Sequence, residues 1–364
     1  MLFRSLIIRK SWLIFYLILS VFSVAAYLSP LGCSIEQKGL FSLALAGMLV
    51  VYFRQISMFR IVQKTFVSSG ILYLVAFFLI LDFFNFGIRD ILFGASKGSG
   101  TYSETSHLAM YLLPIVGFRL LLSPRDKLTL LVLVVSFILA PSSVLLVGTL
   151  GIICLYMLDI KRRKLEGFLF LLLLFFVFFS FLYFGVIEMT NTLNRIKNVV
   201  EWPQANVIDH TNLSSIVWLN GWSQAFQTFN ETNWLGTGFN QMGCGKFYEI
   251  GSFSPLILNE IGVVLNAEDG SLLAAKMIAE LGVFGGIVVV GLAIFSVRAI
   301  CQLRSYKNDN ISVESFVMKI RAVGGLCVLI YLFVRGVGYF QLPFLVALSM
   351  LSASLRQTLI KEQS

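Results

Sequence analysis

Long apolar runs without charged residues recur from one end of this chain to the other, and they limit the folds open to it. A helix needs about 20 apolar residues to cross about 30 Å of hydrocarbon, and several runs here reach or approach that length. Apolar residues make up 57% of the 364 residues and the mean hydropathy is +0.85, whereas a soluble domain is about half apolar. The runs do not alternate with polar residues as the strands of a membrane barrel do. We therefore expect an all-α polytopic membrane protein.

Ten segments qualify as transmembrane helices, and one long polar loop divides them. Seven lie within residues 1–187, the loop covers 188–270, and three lie within 271–364. The first follows a basic N-terminus and is longer than the apolar core of a typical signal sequence, so it is predicted to be an uncleaved span. The ten segments are 11–29, 39–53, 66–86, 105–122, 127–140, 142–159, 166–187, 271–299, 318–334 and 338–356.

The distribution of basic residues predicts the orientation of these helices. Of the 28 Lys and Arg residues, eight fall on the side of the long loop and the rest fall on the opposite side. Because basic residues near spans favour the cytoplasm, we expect both termini inside and residues 188–270 outside. Orientation thus accounts for the net charge of +9, and we expect no nucleic acid partner. An alternative layout adds a re-entrant piece at Phe253–Leu265, which is only half a span long.

Several signatures of metal and nucleotide chemistry are missing from the sequence. The five cysteines show no paired Cys-x-x-Cys spacing, so a zinc site is not expected. Motifs for ATP hydrolysis, metalloproteases, serine hydrolases and Asp-x-Asp metal binding are also absent, and we expect no metal and no cofactor. The cysteines are interpreted as isolated apolar residues. Pairing of Cys33 with Cys244, which fall on the same side, is the alternative.

Polar and ionisable residues collect at the outer ends of the predicted helices. Glu104 and His107 are three residues apart at the start of the fourth span and so share a face; Glu104 also suits a structural role at the helix N-terminus. Asp269 stands in an Asp-Gly turn where the long loop returns to the membrane. Lys276 and Glu280, four residues apart in the next span, are predicted to pair.

A second group of residues supplies positive charge and flat rings. Arg335 lies near hydrocarbon, where a charge costs about 2.5 to 3.5 kcal/mol and is usually retained for a partner or ligand. Its alternative role is to reach lipid phosphate. Trp222 and the other aromatic residues of the long loop can stack on sugars, or can lie among lipid headgroups.

Four stretches of the chain resemble bacterial O-antigen polymerases, which are membrane glycosyltransferases that share an architecture with O-antigen ligases. The similarity covers most of the chain in order, although each motif is short. Ser103–His107 is also similar to a Glu-Pro-Ser-His-like element of the family, with Thr105 in the proline position. The four stretches are Asn212–Trp222, Leu235–Gly243, Asn266–Gly282 and Arg335–Phe340.

The resemblance implies an activity on the periplasmic face of the bacterial inner membrane. There the enzyme joins oligosaccharide repeat units carried on undecaprenyl pyrophosphate, transferring the growing chain to the non-reducing end of a new lipid-linked unit. We expect a direct displacement with inversion at the sugar and without a metal. Membrane lipids, a chain-length regulator and a repeat-unit flippase are the further partners that the family implies.

The chemistry implied by the resemblance requires a base and a set of cations. A base must accept the proton of the attacking sugar hydroxyl, and Glu104 is the first choice, Asp269 the second and His210 the third. Many family members carry an arginine just before the loop tryptophan; Val217 stands there in this chain, so other arginines must stabilise the phosphate charge. The expected substrate-binding set is Arg89, Arg335, Arg195, His107, Trp222 and Tyr339.

Two other classes of protein remain open from the sequence. An O-antigen ligase, which transfers finished glycan to lipid A core, differs from a polymerase in its acceptor. A lipid-linked-sugar flippase or another transporter would show charges near the middle of the membrane and related halves. We find no internal repeat, and the polar groups lie mostly at one face, so the polymerase is favoured.

Overall fold

All regular structure in the described part of the chain is helical. The computed structural model describes residues 10–29, 33, 37–52, 70, 73, 105–123, 126–139, 142–159, 213–305, 313–336 and 338–353. These residues form ten α-helices and one 3-10 turn, Gly245–Phe247, and no strand. The helices are α1 (Lys10–Leu28), α2 (Gln37–Tyr52), α3 (Thr105–Leu122), α4 (Lys127–Leu139), α5 (Ser143–Asp159), α6 (Leu213–Glu231), α7 (Ser254–Ile261), α8 (Leu273–Ser305), α9 (Val313–Phe333) and α10 (Leu342–Leu351).

Each predicted helix that the structure describes is present, although the last begins at Leu342 and not at residue 338. Helices α1 to α5 and α8 to α10 each coincide with one predicted segment, and segments 66–86 and 166–187 lie outside the described residues apart from positions 70 and 73. Among the described helices, two are long and apolar enough to cross a membrane, over Leu273–Leu303 and Glu314–Phe333. Five shorter apolar helices accompany them. The all-helical fold is therefore confirmed over the described ranges, and ten membrane crossings remain a prediction.

The chain divides into two compact units that are each discontinuous in sequence. The first unit takes its described residues from Met1–Met58, Thr190–Leu292 and Arg335–Gly338, and the second takes them from Phe59–Met189, Ala293–Val334 and Tyr339–Ser364. Helices α3, α4, α5, α9 and α10 belong to the second unit. The first unit contains α1, α2, α6, α7 and the N-terminal part of α8.

Glycines allow the helices of the second unit to approach closely. A Cβ atom added to Gly324 of α9 would lie 2.5 Å from the backbone nitrogen of Leu351, and one added to Gly148 of α5 would lie 2.3 Å from the side chain of Leu113. Small residues are enriched where membrane helices pack, because association there depends on close van der Waals contact. Helix α9 contacts α3, α5 and α10 in this way and forms the centre of the unit.

Pro114 leaves the middle of α3 without one backbone donor, and the hydroxyl of a tyrosine donates in place of the missing N–H. In a regular helix the N–H of residue 114 would donate to the carbonyl oxygen of Met110, but proline has no N–H. The Tyr331 hydroxyl of α9 donates to that carbonyl oxygen over 2.7 Å, and the bond is buried. A carbonyl freed in an apolar interior therefore receives its hydrogen bond from a side chain on a neighbouring helix.

We expect Tyr331→Phe to destabilise the protein by about 1 to 3 kcal/mol, because it leaves a buried carbonyl without a donor. The measurement is a thermal or denaturant unfolding curve of the purified protein in detergent. In a Pro114→Ala background, residue 114 regains its N–H, so the same tyrosine substitution should cost clearly less. Equal costs in the two backgrounds would contradict the assignment of this bond to the proline.

In the first unit, α8 is interrupted at Gly282, and a loop pairs with the interruption. Gly282 has φ 56° and ψ −131°, which no helical residue adopts. The N–H of Val283 donates to the carbonyl oxygen of Trp234 over 3.0 Å. In return, the carbonyl oxygens of Ala279 and Glu280 accept from the N–H groups of Thr237 and Gly238, at 3.0 and 2.8 Å. The break in α8 therefore leaves these backbone groups hydrogen-bonded.

A disulfide joins the α1–α2 connection to the same loop region. Cys33 and Cys244, which are 211 positions apart in sequence, are bonded, with their Cα atoms 6.2 Å apart. Interpretation of all five cysteines as isolated residues is thus wrong for this pair, because the fold brings two distant connections together. Cys154, Cys301 and Cys327 carry free thiols.

We expect Gly282→Ala to lower thermal stability or prevent folding. The added Cβ would lie 1.8 Å from the carbonyl oxygen of Trp234, at a φ that L-residues rarely adopt. Gly286→Ala, one turn further along α8, is the matched control because its Cβ meets nothing within 4 Å. The control should be unchanged or stabilised by up to about 1 kcal/mol. Similar unfolding temperatures for both variants would show that the break does not require glycine.

Candidate functional site

Glu280 is a completely buried carboxylate that binds the loop Trp234–Met242. Its side chain is 0% exposed, and its two oxygens accept hydrogen bonds from the backbone N–H groups of Asn240, at 2.8 Å, and Met242, at 3.1 Å. Burial of a lone carboxylate is costly, but donors aimed at both oxygens offset much of that cost. Glu280 therefore adds two side-chain hydrogen bonds to the backbone bonds that hold this loop to α8.

Lys276 connects buried Glu280 to the surface. Its ammonium, on a side chain that is only 3% exposed, lies 3.5 Å from a Glu280 oxygen and 3.0 Å from Oδ1 of Asp269. It also donates to the backbone carbonyl of Glu268 over 2.7 Å. The predicted pairing of Lys276 with Glu280 is confirmed. We call Asp269, Lys276 and Glu280 the carboxylate–lysine cluster.

Asp269 occupies a turn whose backbone conformation is fixed by neighbouring elements. The N–H of Gly270 donates to the carbonyl oxygen of Asn266 over 2.7 Å, and Asn266, Gly270 and Ser271 all have positive φ. The side-chain amide of Gln224, on α6, donates to the carbonyl oxygen of Ala267 over 2.9 Å. This arrangement leaves the Asp269 side chain 65% exposed while its backbone is held in place.

The segment that follows α9 joins this turn directly. The N–H of Gly336 donates to the carbonyl oxygen of Ser271 over 2.6 Å. A Cβ on residue 336 would lie 2.6 Å from the Cα of Leu272, so only glycine permits this approach. Arg335 and Asp269 are thereby brought into one neighbourhood although 66 positions separate them.

The electrostatics of the cluster keep Asp269 ionised. Partial burial raises the pKa of the Asp269 carboxyl. The charge and hydrogen bond of Lys276 lower this pKa, as do the charges of Lys38 and Arg335. Their combined effect exceeds that of burial, so the pKa lies below its ordinary value. Lys38 itself forms an ion pair with Glu268. A carboxylate with a lowered pKa is a weaker proton acceptor, and the role of Asp269 as a base stays a prediction.

The aromatic residues of the predicted substrate-binding set occupy different environments. Trp222 is half-buried on α6, with its ring stacked 5.8 Å from Phe226 and 6.3 Å from Trp218 in an edge-on arrangement. Tyr339 belongs to the second unit and is 8% exposed, so its ring offers little free surface. His107, also in that unit, is half-buried in the first turn of α3.

Four of the predicted site residues lie outside the described part of the chain. They are Glu104, His210, Arg89 and Arg195. Their assignments as base and phosphate ligands stay predictions. Of the remaining candidates, Asp269 and Arg335 come together in the first unit.

Glu280 is the site residue whose importance the sequence analysis missed. The spacing predicted its partner Lys276, but not the two backbone donors that come from residues 40 and 38 positions earlier. A signal was present, because ionisable residues in an otherwise apolar span usually mark a functional or structural centre.

Comparison with known proteins adds no identity: no protein-family model, curated protein or solved structure matches this chain.

We expect Lys276→Met to raise the pKa of Asp269, because the nearest cation and its hydrogen bond are removed. In the native protein the folded-state pKa lies below that of the unfolded chain, so this carboxylate stabilises the fold above about pH 3.9 and the contribution is lost as pH falls through the folded-state value. The measurement is the pH dependence of carbodiimide labelling at Asp269, followed by peptide mass spectrometry.

Lys38→Met is the matched control for this experiment, since Lys38 influences Asp269 by charge alone. Its labelling midpoint should rise less than that of Lys276→Met. Size-exclusion chromatography verifies that both variants remain folded. A midpoint unchanged by Lys276→Met, or moved more by Lys38→Met, would contradict the dominant role of Lys276.

Proposed function

We propose that this chain is an O-antigen polymerase of the bacterial inner membrane, a glycosyltransferase that joins undecaprenyl-pyrophosphate-linked repeat units into polysaccharide. Two observations from the structure support the proposal. The described chain is all-helical, with two helices long and apolar enough to span a membrane. Two of the family-like stretches, Asn266–Gly282 and Arg335–Phe340, meet at the Ser271–Gly336 hydrogen bond.

The proximity of Asp269 and Arg335, whose backbone segments share that bond, is the observation that carries the proposal. A transferase acting on a pyrophosphate donor needs a fixed cation near a group that can orient the attacking hydroxyl. Arg335 and Asp269 provide a guanidinium and an ionised carboxylate on backbone segments that are hydrogen-bonded to each other. Sequence-remote residues with complementary chemistry are thus held close at the end of a candidate span.

The proposed reaction is a displacement at the anomeric carbon of the donor sugar. The acceptor hydroxyl forms the new glycosidic bond, the bond to the pyrophosphate oxygen breaks, and the released undecaprenyl pyrophosphate carries away the negative charge. Arg335, with Arg89 as its expected partner, stabilises that charge. Glu104 is the proposed proton acceptor. Asp269, whose lowered pKa makes it a weak acceptor of the hydroxyl proton, is assigned to orient the acceptor or Arg335.

The Cys33–Cys244 disulfide supports a location on the outer side of the membrane. Disulfides form and persist in oxidising compartments such as the bacterial periplasm and are rare in the cytosol. Both cysteines belong to the first unit, which also contains Asp269 and Arg335. The distribution of basic residues favours the same orientation independently.

The decisive experiment is a lipopolysaccharide gel from cells that lack this protein and carry plasmid copies of it. We expect a single-repeat band without the protein and a full ladder with the native copy. Arg335→Ala and Glu104→Gln should reduce polymer by about 100-fold or more, as loss of a transition-state contact does. Glu231→Gln and Lys246→Ala are matched controls, because this pair is exposed and lies 3.8 Å apart; both should keep the ladder.

Other banding patterns would support other classes of protein. Bare core without a single repeat indicates a ligase or a flippase. An unchanged ladder in cells without the protein rejects the proposal. Normal polymer from both site variants at equal protein levels would reject these residues as the catalytic group.

A further inference from the structure

Helix α6 buries several polar side chains and leaves one large apolar side chain, Phe226, exposed. Asn220, Gln224 and Thr228 are each 1% exposed, while Phe226 is 53% exposed. Gln224 donates to the carbonyl oxygens of Phe247 and Ala267, and Asn220 accepts from the backbone N–H of Phe253. In a helix that faces water the polarity is normally the reverse.

The exposed side of α6 also lacks charge. No Asp, Glu, Lys or Arg occurs between Leu213 and Asn230. About a quarter of the residues in a soluble domain are charged, so a helix of this length in the water of a periplasmic loop would ordinarily carry several. The first charge is Glu231, the last residue of α6, which lies 3.8 Å from Lys246.

The side of α6 that carries Phe226 adjoins exposed apolar residues of α8. The two helices line one open apolar groove of about 460 Å³, to which α6 contributes Phe226 and Phe229. The groove residues Val283, Ile287 and Val290 of α8 are 42%, 64% and 58% exposed. Because α8 is long and apolar enough to cross a membrane, its exposed apolar residues face hydrocarbon if it does so, and Phe226 lies beside them.

Aromatic and charged residues mark the C-terminal end of this surface. Trp234 is 60% exposed, and its ring stacks on Phe229 with centroids 6.3 Å apart. The Glu231–Lys246 ion pair follows at the same end of α6. Tryptophan concentrates where hydrocarbon meets water, and ion pairs lie beyond it. This end of the surface therefore carries the residue types that are found where hydrocarbon gives way to water.

We infer that α6 is embedded in the bilayer along its Phe226 side, so that lipid hydrocarbon is its partner. The helix does not span, since its polar face binds protein loops, and it lies within the segment that the sequence analysis assigns to the periplasmic loop. The inference rests on the proposed membrane location. It adds that the turn Asn266–Ser271, bound to α6 through Gln224, is held at the lipid boundary, where a lipid-linked substrate presents its phosphate.

The test is site-directed spin labelling with power-saturation EPR in phospholipid vesicles. The free cysteines are replaced by serine, and a nitroxide is attached in turn to Phe226→Cys, Ile287→Cys and Lys246→Cys. Oxygen concentrates in hydrocarbon, and a water-soluble nickel chelate collides only in water. We expect Phe226→Cys to resemble Ile287→Cys, with collisions from oxygen exceeding those from nickel several-fold, and Lys246→Cys to show the opposite ratio.

Each result decides the inference. A label at Phe226→Cys that collides with nickel as freely as Lys246→Cys places this face in water and overturns the inference. A label that collides with neither reagent is covered by protein, such as a second copy of this chain, and also overturns it. If Ile287→Cys collides freely with nickel, the proposed membrane location itself fails. If the label at Ile287→Cys collides mainly with oxygen and the label at Phe226→Cys does not, the embedding of α6 is rejected and the proposed membrane location stands.

Discussion

The burial of the Glu280 carboxylate is the interaction on which the first unit depends. A buried charge is tolerated only when other groups replace the hydrogen bonds and ions that water would supply. Here two backbone N–H groups and Lys276 do so. The loop Trp234–Met242, the break in α8 and the turn at Asp269 are therefore linked to one charge. Removing one partner of such a set costs more than any single contact is worth, because the remaining charge stays buried.

The same physical rule explains the two irregular helices. Pro114 in α3 and Gly282 in α8 each free backbone groups in an apolar interior, where water cannot bind them. The Tyr331 hydroxyl of α9 donates to the carbonyl oxygen that Pro114 leaves without a donor. Backbone groups of the loop Trp234–Met242 form hydrogen bonds with the groups freed at the break in α8. The rest of each helix remains regular, so each irregularity positions one neighbouring segment. In α8 that segment includes the loop that Glu280 binds.

This arrangement bears on how the proposed chemistry would divide among residues. The cations around Asp269 lower its pKa and so reduce its strength as a base. An ionised carboxylate held by a buried lysine is a stable, fixed negative charge, suited to orienting a hydroxyl or a guanidinium. Arg335 shares the neighbourhood of that charge.

The sequence alone determined the helical class, the positions of the described apolar helices and the pairing of Lys276 with Glu280, because these depend on local composition and on spacings within one helix. It also identified Asp269 and Arg335 as candidates. Only the tertiary structure brought Arg335 into the neighbourhood of Asp269, joined Cys33 to Cys244 and placed polar residues on the buried side of α6. Those features depend on contacts between segments that are 23 to 211 positions apart, and the burial that decides them comes from packing, which no local pattern specifies.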